Sequence, residues 1–371
     1  MSDDNRSLHQ EDAPCRTHIK RAEADIKVRE DRIGKYFRKY LDRFVFAEFS
    51  GGFLKRYDVQ ELMSSVPVPL RQEEIQGFAG GEGSSAVIIG ENMAWVMGSD
   101  PHFRYTENYA GFLDRISEGS IREGLVKKAG EAAERGELDN ACIHFRAALC
   151  IASDDPEAVY GYARTCREMY LASSNEEYTG RFKAESMEWF ELLTEMHPDF
   201  AQGYYYLGYA YMNIGLYAKA DIAWRSFVRL SSDSKERKEI QMRLAQLADP
   251  LRIEKGCNEI LAGRYESGIS ALEPFIDTRF GNWWPLYYYL GIAYEMMGRT
   301  DEAVSSLKKV LTLNGSHIET MKELLSIYEA QGDTENIRKY SRKIEMVESN
   351  LSEEQDMHIK AIREEDRKLQ N

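Results

Sequence analysis

The sequence predicts a mainly α chain in which helical hairpins stack into a solenoid, preceded by a small α+β module that carries a β-hairpin. Three observations lead there. Gly203-Tyr204-Tyr205-Tyr206-Leu207-Gly208-Tyr209-Ala210-Tyr211 returns almost unchanged as Leu286-Tyr287-Tyr288-Tyr289-Leu290-Gly291-Ile292-Ala293-Tyr294. A unit repeated in this way cannot bury its own apolar face, so the fold is set by how neighbouring units stack. From about Ile121 onward apolar residues recur at helical spacing, whereas between Ser50 and Ser117 that period is lost. The third observation is size: 371 residues with 43% hydrophobic content supply ample core material, but too much for one compact core.

The formal net charge is -14, with 62 Asp and Glu against 48 Lys and Arg. A chain so acidic is not built chiefly to neutralise phosphates, and no nucleic acid is expected among its partners. The start, Met1 to Arg6, is polar with no apolar stretch behind it, and no run approaches the roughly 20 apolar residues of a membrane span. Cytoplasmic residence without a span is therefore expected. The five cysteines (Cys15, Cys142, Cys150, Cys166 and Cys257) are scattered with no Cys-x-x-Cys pair, which fits free thiols better than a disulfide framework.

Residues 1–15 are polar and read as a disordered tail. Residues 16–118 follow as an amphipathic helix joined to the α+β module. In that helix, expected over about Arg16 to Phe46, the residues Ile19, Ile26, Ile33 and Tyr40 recur every seven positions while the opposite face is crowded with charge, basic residues leading. The stripe can pack on the chain's own core, pair with a second copy as a coiled coil and so build a homo-oligomer, or meet an acidic surface. Arg29 interrupts the flanking seam and favours the first. Beyond it, Asp58 is placed to cap a short helix ending at Met63. Val66-Pro67-Val68-Pro69 must be extended, because each proline restricts the residue before it. After the glycine-rich loop Gly77 to Gly83, Ala86 to Ile89 and Met93 to Met97 flank Gly90-Glu91-Asn92, a pattern that predicts a β-hairpin. Thr106 then caps a helix bearing Tyr109, Phe112, Leu113 and Ile116.

Residues 119–350 are expected to form about five helical hairpins. Gly136 with Ala141, Phe145 and Ala148 marks the second helix of the first hairpin. The next, Pro156 to Pro198, carries Tyr160, Tyr162 and Ala163 on one helix, Trp189, Phe190 and Leu193 on the other, and an insertion near Ser173 to Gly180. The clearest unit is Tyr204, Leu207, Gly208, Tyr211, Gly215, Ala220 and Trp224. Small Gly208 and Ala220 let the paired helices approach, large side chains fill the space beside them, and Gly215 ends the first helix. An extra helix is expected over 234–248. Pro274 should kink or stop the second helix of the unit from Leu251 to Phe280. Regularity returns with Tyr287, Leu290, Gly291, Tyr294, Gly298, Ala303 and Leu307, and again with Met321, Leu324, Leu325, Tyr328, Gly332 and Ile337. The charged residues 351–371 read as a capping helix that frays.

These spacings resemble the tetratricopeptide repeat, with Tyr204 in place of the pattern's first Trp and Trp224 in place of its usual Phe. The resemblance implies a non-catalytic scaffold or adaptor whose first-helix faces line a concave groove for a peptide of a partner protein. It places Tyr205, Tyr209, Met212 and Asn213 on that face in one unit, and Tyr288, Ile292, Glu295 and Met296 in the other. Partly exposed Tyr and Met mark interfaces, and cover by the extra helix or the N-terminal module is the competing reading. Family members that capture the acidic C-terminal tails of heat-shock chaperones do so with Lys, Asn and Arg in the groove. The matching positions here are Val126, Gly130, Tyr205, Tyr209, Ile253 and Cys257, so no such capture is expected.

No catalytic constellation emerges. Gly77 to Ser85 lacks the Lys-Ser/Thr of a phosphate loop, carries Glu82 and leads into a predicted strand. Cys15 with His18, and Cys142 with His144, fall short of the four ligands of a structural zinc. No metal, no cofactor and no enzyme activity are expected. The alternative function makes the module within 16–118 a ligand-sensing or catalytic domain, with the repeats recruiting its partner. A deep polar pocket around Gly80 to Met97 would favour that alternative, and tight packing of the module on the first repeat would favour a cap.

Overall fold

A computed structural model describes residues 25–75 and 86–350. The predicted tail 1–15, the start of the helix predicted from Arg16, the loop Gly77 to Gly83 and the C-terminal residues 351–371 lie outside the described residues. The chain divides into two compact units, residues 1–241 and 242–371.

In the first unit, residues 25–43 pass through turns and two short 3-10 segments, Gly34–Tyr36 and Arg38–Arg43, where the sequence predicts a continuous helix. Tertiary contacts override the heptad. Ile26, Ile33 and Phe37 are buried as the stripe requires, but the charges between them are drawn to different helices: Asp31 to Arg146, Arg32 to Glu185 and Glu188, Lys35 to Glu177. The chain's own core takes the stripe, and no helical seam is left over 25–43 for a second copy.

Strand β1 (Phe44–Glu48) pairs antiparallel with β2 (Pro67–Arg71), Phe44 opposite Arg71 and Glu48 opposite Pro67. Helices α1 (Gly51–Arg56) and α2 (Gln60–Met63) connect them. Asp58 does not cap α2; it adopts a φ of 54° and pairs with Arg115, and Val59 holds the cap position. Pro67 and Pro69 have no N–H to give and, two residues apart, face the edge away from β1. The carbonyl oxygens on that edge accept from Tyr109 Oη at 2.5 Å and Asn92 Nδ2 at 3.2 Å.

Residues Ala86–Ser99 are helix α3, which corrects the predicted β-hairpin. Ile89, Met93, Val96 and Met97 are all fully buried, so α3 shows no polar stripe, and short apolar runs parted by Gly-Glu-Asn look alike as buried helix or as strands. Gly90 stands mid-helix where a Cβ would come within 2.9 Å of Leu113 Cδ2 on α4 (Thr106–Ile116). Three hairpins follow: α5 (Ile121–Glu134) with α6 (Leu138–Ile151), α7 (Pro156–Leu171) with α8 (Glu176–Met196), and α9 (Ala201–Asn213) with α10 (Tyr217–Leu230). Helix α11 (Ser234–Gln246) comes next, and the division between the units falls within it.

The second unit contains α12 (Ala248–Leu261), α13 (Tyr265–Leu272), α14 (Trp284–Met296), α15 (Thr300–Leu313), α16 (Ile318–Gln331) and helical residues 334–350. Pro274 stops α13, and the chain continues as a 3-10 turn over Glu273–Phe275. Leu272, Leu286, Leu290, Leu307 and Leu324 fill the core.

One device recurs in both units. Gly136, Gly215, Gly263, Gly298 and Gly332 follow first helices with φ between 71° and 80°. The next residue's N–H reaches back to close the helix, as in Leu216 to Tyr211 O at 2.9 Å and Arg299 to Tyr294 O at 2.8 Å. This left-handed closure satisfies otherwise orphaned carbonyls and reverses the chain into the second helix.

Candidate functional site

On α9 the packing residues behave as the spacing predicts. Leu207 is buried, Tyr211 Oη donates to Glu191 at 2.6 Å and Tyr204 Oη to the Thr194 carbonyl at 3.4 Å, both on α8. Tyr205 and Tyr209, one turn apart, face α10 instead. The Tyr205 ring lies 5.2 Å from Phe227 and the Tyr209 ring 5.0 Å from Trp224, both edge-on, and Trp224 Nε1 donates to the Tyr205 carbonyl at 3.2 Å. These tyrosines thus help close the α9–α10 hairpin, a role the repeat pattern does not assign them. Helix α11 shares this face: Tyr209 Oη donates to Glu239 at 2.6 Å and Gln202 Nε2 to Glu236 at 2.9 Å. Tyr205, Tyr209 and Met212 are half-buried and Asn213 is exposed. Burial raises the Tyr205 hydroxyl above its ordinary pKa, with the hydrogen bond to Tyr209 acting the other way.

In the second unit the corresponding residues lie on α14. The Tyr288 ring sits 5.2 Å from His317 and 6.5 Å from Trp284, and Trp284 sits 4.3 Å from His317. His317 is fixed there because it caps α16, its Nδ1 accepting from the Thr320 N–H at 3.2 Å. Ile292 is half-buried against the core and Met296 is 61% exposed. Glu295 is half-buried; burial, and then Glu323 on α16, hold its carboxyl above the usual range. Burial, then Glu323 and Glu319, raise Tyr288 as well. Aromatic rings and the carboxylates of Glu295, Glu319 and Glu323 therefore share the α14–α16 face, with Glu319 lying 3.7 Å from His317 Nδ1.

Two positions matched to the chaperone-tail clamp are not groove residues at all. Ile253 and Cys257 are buried in the core of the second unit. A second matched pair, Val126 and Gly130, leads to a cavity that the sequence reading missed. It holds about 280 Å³ between α5 and α7, above Phe145 of α6. A signal was present: Gly130 stands mid-helix with nothing within 4 Å of where a Cβ would be, which is a poor helix residue kept where space is open.

The N-terminal module packs on the first hairpin. A Cβ on Gly98 of α3 would overlap the Ile143 carbonyl of α6, and Cys150 Sγ lies 3.8 Å from the Met97 carbonyl. A larger open cavity, about 760 Å³, includes Trp95 with Tyr40, Arg43, Asp139 and Tyr178. Arg43 lies over the Tyr40 and Trp95 rings, and Tyr40 Oη bonds Asp139. Cys142 and His144 do not form a site: both are buried, and His144 Nδ1 is engaged with the Asn140 carbonyl at 2.8 Å. Among the described residues no three His, Cys, Asp or Glu side chains are placed to hold a metal ion, and no helix is long and apolar enough to cross a membrane.

Residues 286–314, the span of α14 and α15, match the tetratricopeptide repeat family. No curated protein matches the sequence. Among solved structures, the chain is similar to MamA at 22% identity, over 48% of this chain and 95% of that one, with a TM-score of 0.27. It is similar to the TPR domain of P58(IPK) at 15% identity, over 73% and 76%, with a TM-score of 0.41. A tetratricopeptide repeat protein of Parabacteroides merdae matches at 16% identity, over 80% and 93%, with a TM-score of 0.28.

Proposed function

Because residues 286–314 are a tetratricopeptide repeat, we propose that the chain is a non-catalytic, cytoplasmic scaffold or adaptor that holds a partner protein's peptide on the first-helix faces of its hairpins. The observation that carries this reading is the α14 face. There Tyr288, Ile292 and Met296 combine partly exposed apolar surface with the carboxylates of Glu295, Glu319 and Glu323, a combination suited to a peptide with apolar anchors and basic residues. Residues 119–350 carry the binding function and the module before them caps the first hairpin, since α3 is packed on α6. On α9, Met212 and Asn213 offer the more accessible surface, while Tyr205 and Tyr209 shape it.

Selection of random 12-residue peptides on the full chain tests this. Peptides of about micromolar affinity are expected, and Met296→Glu or Met212→Glu should weaken them about tenfold or more by placing a charge in an apolar contact. Failure to select any peptide, or affinities indifferent to both substitutions, would overturn the reading. Peptides ending in an acidic tail should bind no better than millimolar, because Val126, Gly130, Tyr205 and Tyr209 supply no cation.

A further inference from the structure

The cavity between α5 and α7 has walls of one chemistry and a rim of another. Val126, Leu138 and Phe145 line it with apolar surface, and Gly130 and Gly161 keep its two helices bare where they border it. At about 280 Å³ it falls just below the range of small-molecule pockets and suits one long side chain. Around it stand Glu134, Glu157, Glu168 and Arg164. Arg164 is engaged by the Tyr160 and Tyr206 hydroxyls, and Glu168 by Arg167 at 2.8 Å. Glu134 and Glu157 have no ion pair among the described residues. Glu134 also closes α5 at its C-terminal end, where the helix dipole is negative and a carboxylate is disfavoured, so a visiting cation would relieve an existing repulsion.

We propose that this cavity is a subsite for a lysine side chain of the partner peptide, its methylene stem along Val126 and Phe145 and its ammonium between Glu134 and Glu157. The assignment rests on the peptide-binding reading above and adds to it the chemistry of one residue. A long stem with a cationic tip is what an apolar slot with a carboxylate rim accommodates without burying an unpaired charge. Arginine fits the charge but fills the slot less well with its planar head.

The probe is the peptide acetyl-Ala-Ala-Lys-Ala-Ala-amide, titrated into the full chain labelled with ¹⁵N only at its 27 glycines, with Gly130 and Gly161 amides as reporters. Saturable shifts at both are expected. They should weaken about fivefold or more with norleucine in place of lysine, and about fivefold in E134Q/E157Q, as two exposed ion pairs imply. Gly130→Leu, read at the remaining Gly161 amide, should abolish the shift by filling the slot, and it should fold, since a Cβ there meets nothing and leucine is the better helix residue. Equal binding of a glutamate peptide, or a saturable shift that survives Gly130→Leu, would overturn the subsite. So would shifts that appear on concentrating the chain without peptide, which would give the slot to a second copy. Shifts confined to Gly208 or Gly291 would overturn the subsite while leaving the peptide-binding reading standing, and no shift at any of these glycines would overturn the subsite too.

Discussion

Arg146 is fully buried, and its guanidinium reaches Asp31 through two hydrogen bonds of 3.0 and 2.7 Å while lying 5.1 Å over the Phe37 ring. One ion pair thus ties the N-terminal segment to α6. Removing only the carboxylate strands a buried cation, so Asp31→Asn should cost about 3 to 5 kcal/mol in urea denaturation, whereas D31N/R146M should cost less because no charge is left unpaired. A loss below about 1 kcal/mol in D31N would contradict the burial. Glu295 carries a prediction in pH. Its folded carboxyl sits above the ordinary 4.5, so between those values the folded state binds more protons than the unfolded state. Stability therefore falls as pH rises through that window. Glu295→Gln should raise the Tm at neutral pH and lose that advantage below about pH 4. Neither role was legible in the sequence. Arg146 sits inside an apolar helical run, Glu295 on a face read as a peptide groove, and both depend on residues distant in the chain.

At the scale of the element, two glycines should respond oppositely to alanine. Gly215 occupies φ 80° at the end of α9, and Gly215→Ala should destabilise by about 1 kcal/mol. Gly130 is helical with open space around it, and Gly130→Ala should stabilise by about 0.5 to 1 kcal/mol. Thermal unfolding of the two variants reads both signs. The hairpins were legible because each level agrees: Gly208 is small because a Cβ would overlap the Trp224 indole, and Trp224 is large for the same contact. Residues 86–99 were misread because a helix buried on several sides shows no period, and 25–43 because a heptad stripe survives in a segment folded by its ion pairs. Tyr205 and Tyr209 were set outside the packing on the family pattern, yet their rings contact Phe227 and Trp224, a local substitution the pattern does not encode.

At the scale of the whole molecule, residues 1–241 and 242–371 each hold most of their contacts within themselves. Unfolding should depart from a single two-state transition. In calorimetry, Asp31→Asn should lower one transition and Leu290→Ala, which empties a fully buried site at a cost of about 2 to 5 kcal/mol, the other. One transition shifted equally by both would contradict the division. The stacking of hairpins followed from the repeat alone, but where the chain divides did not, because α11 carries helical spacing straight across the boundary.

The most direct test of the account is hydrogen–deuterium exchange of the full chain with and without a selected peptide. A peptide held on the first-helix faces should add protection in α5 and α7 or α9 in the first unit and in α14 in the second, with the paired α6, α8, α10 and α15 unchanged. Protection confined to those second helices, or to the segment 25–75, would contradict it.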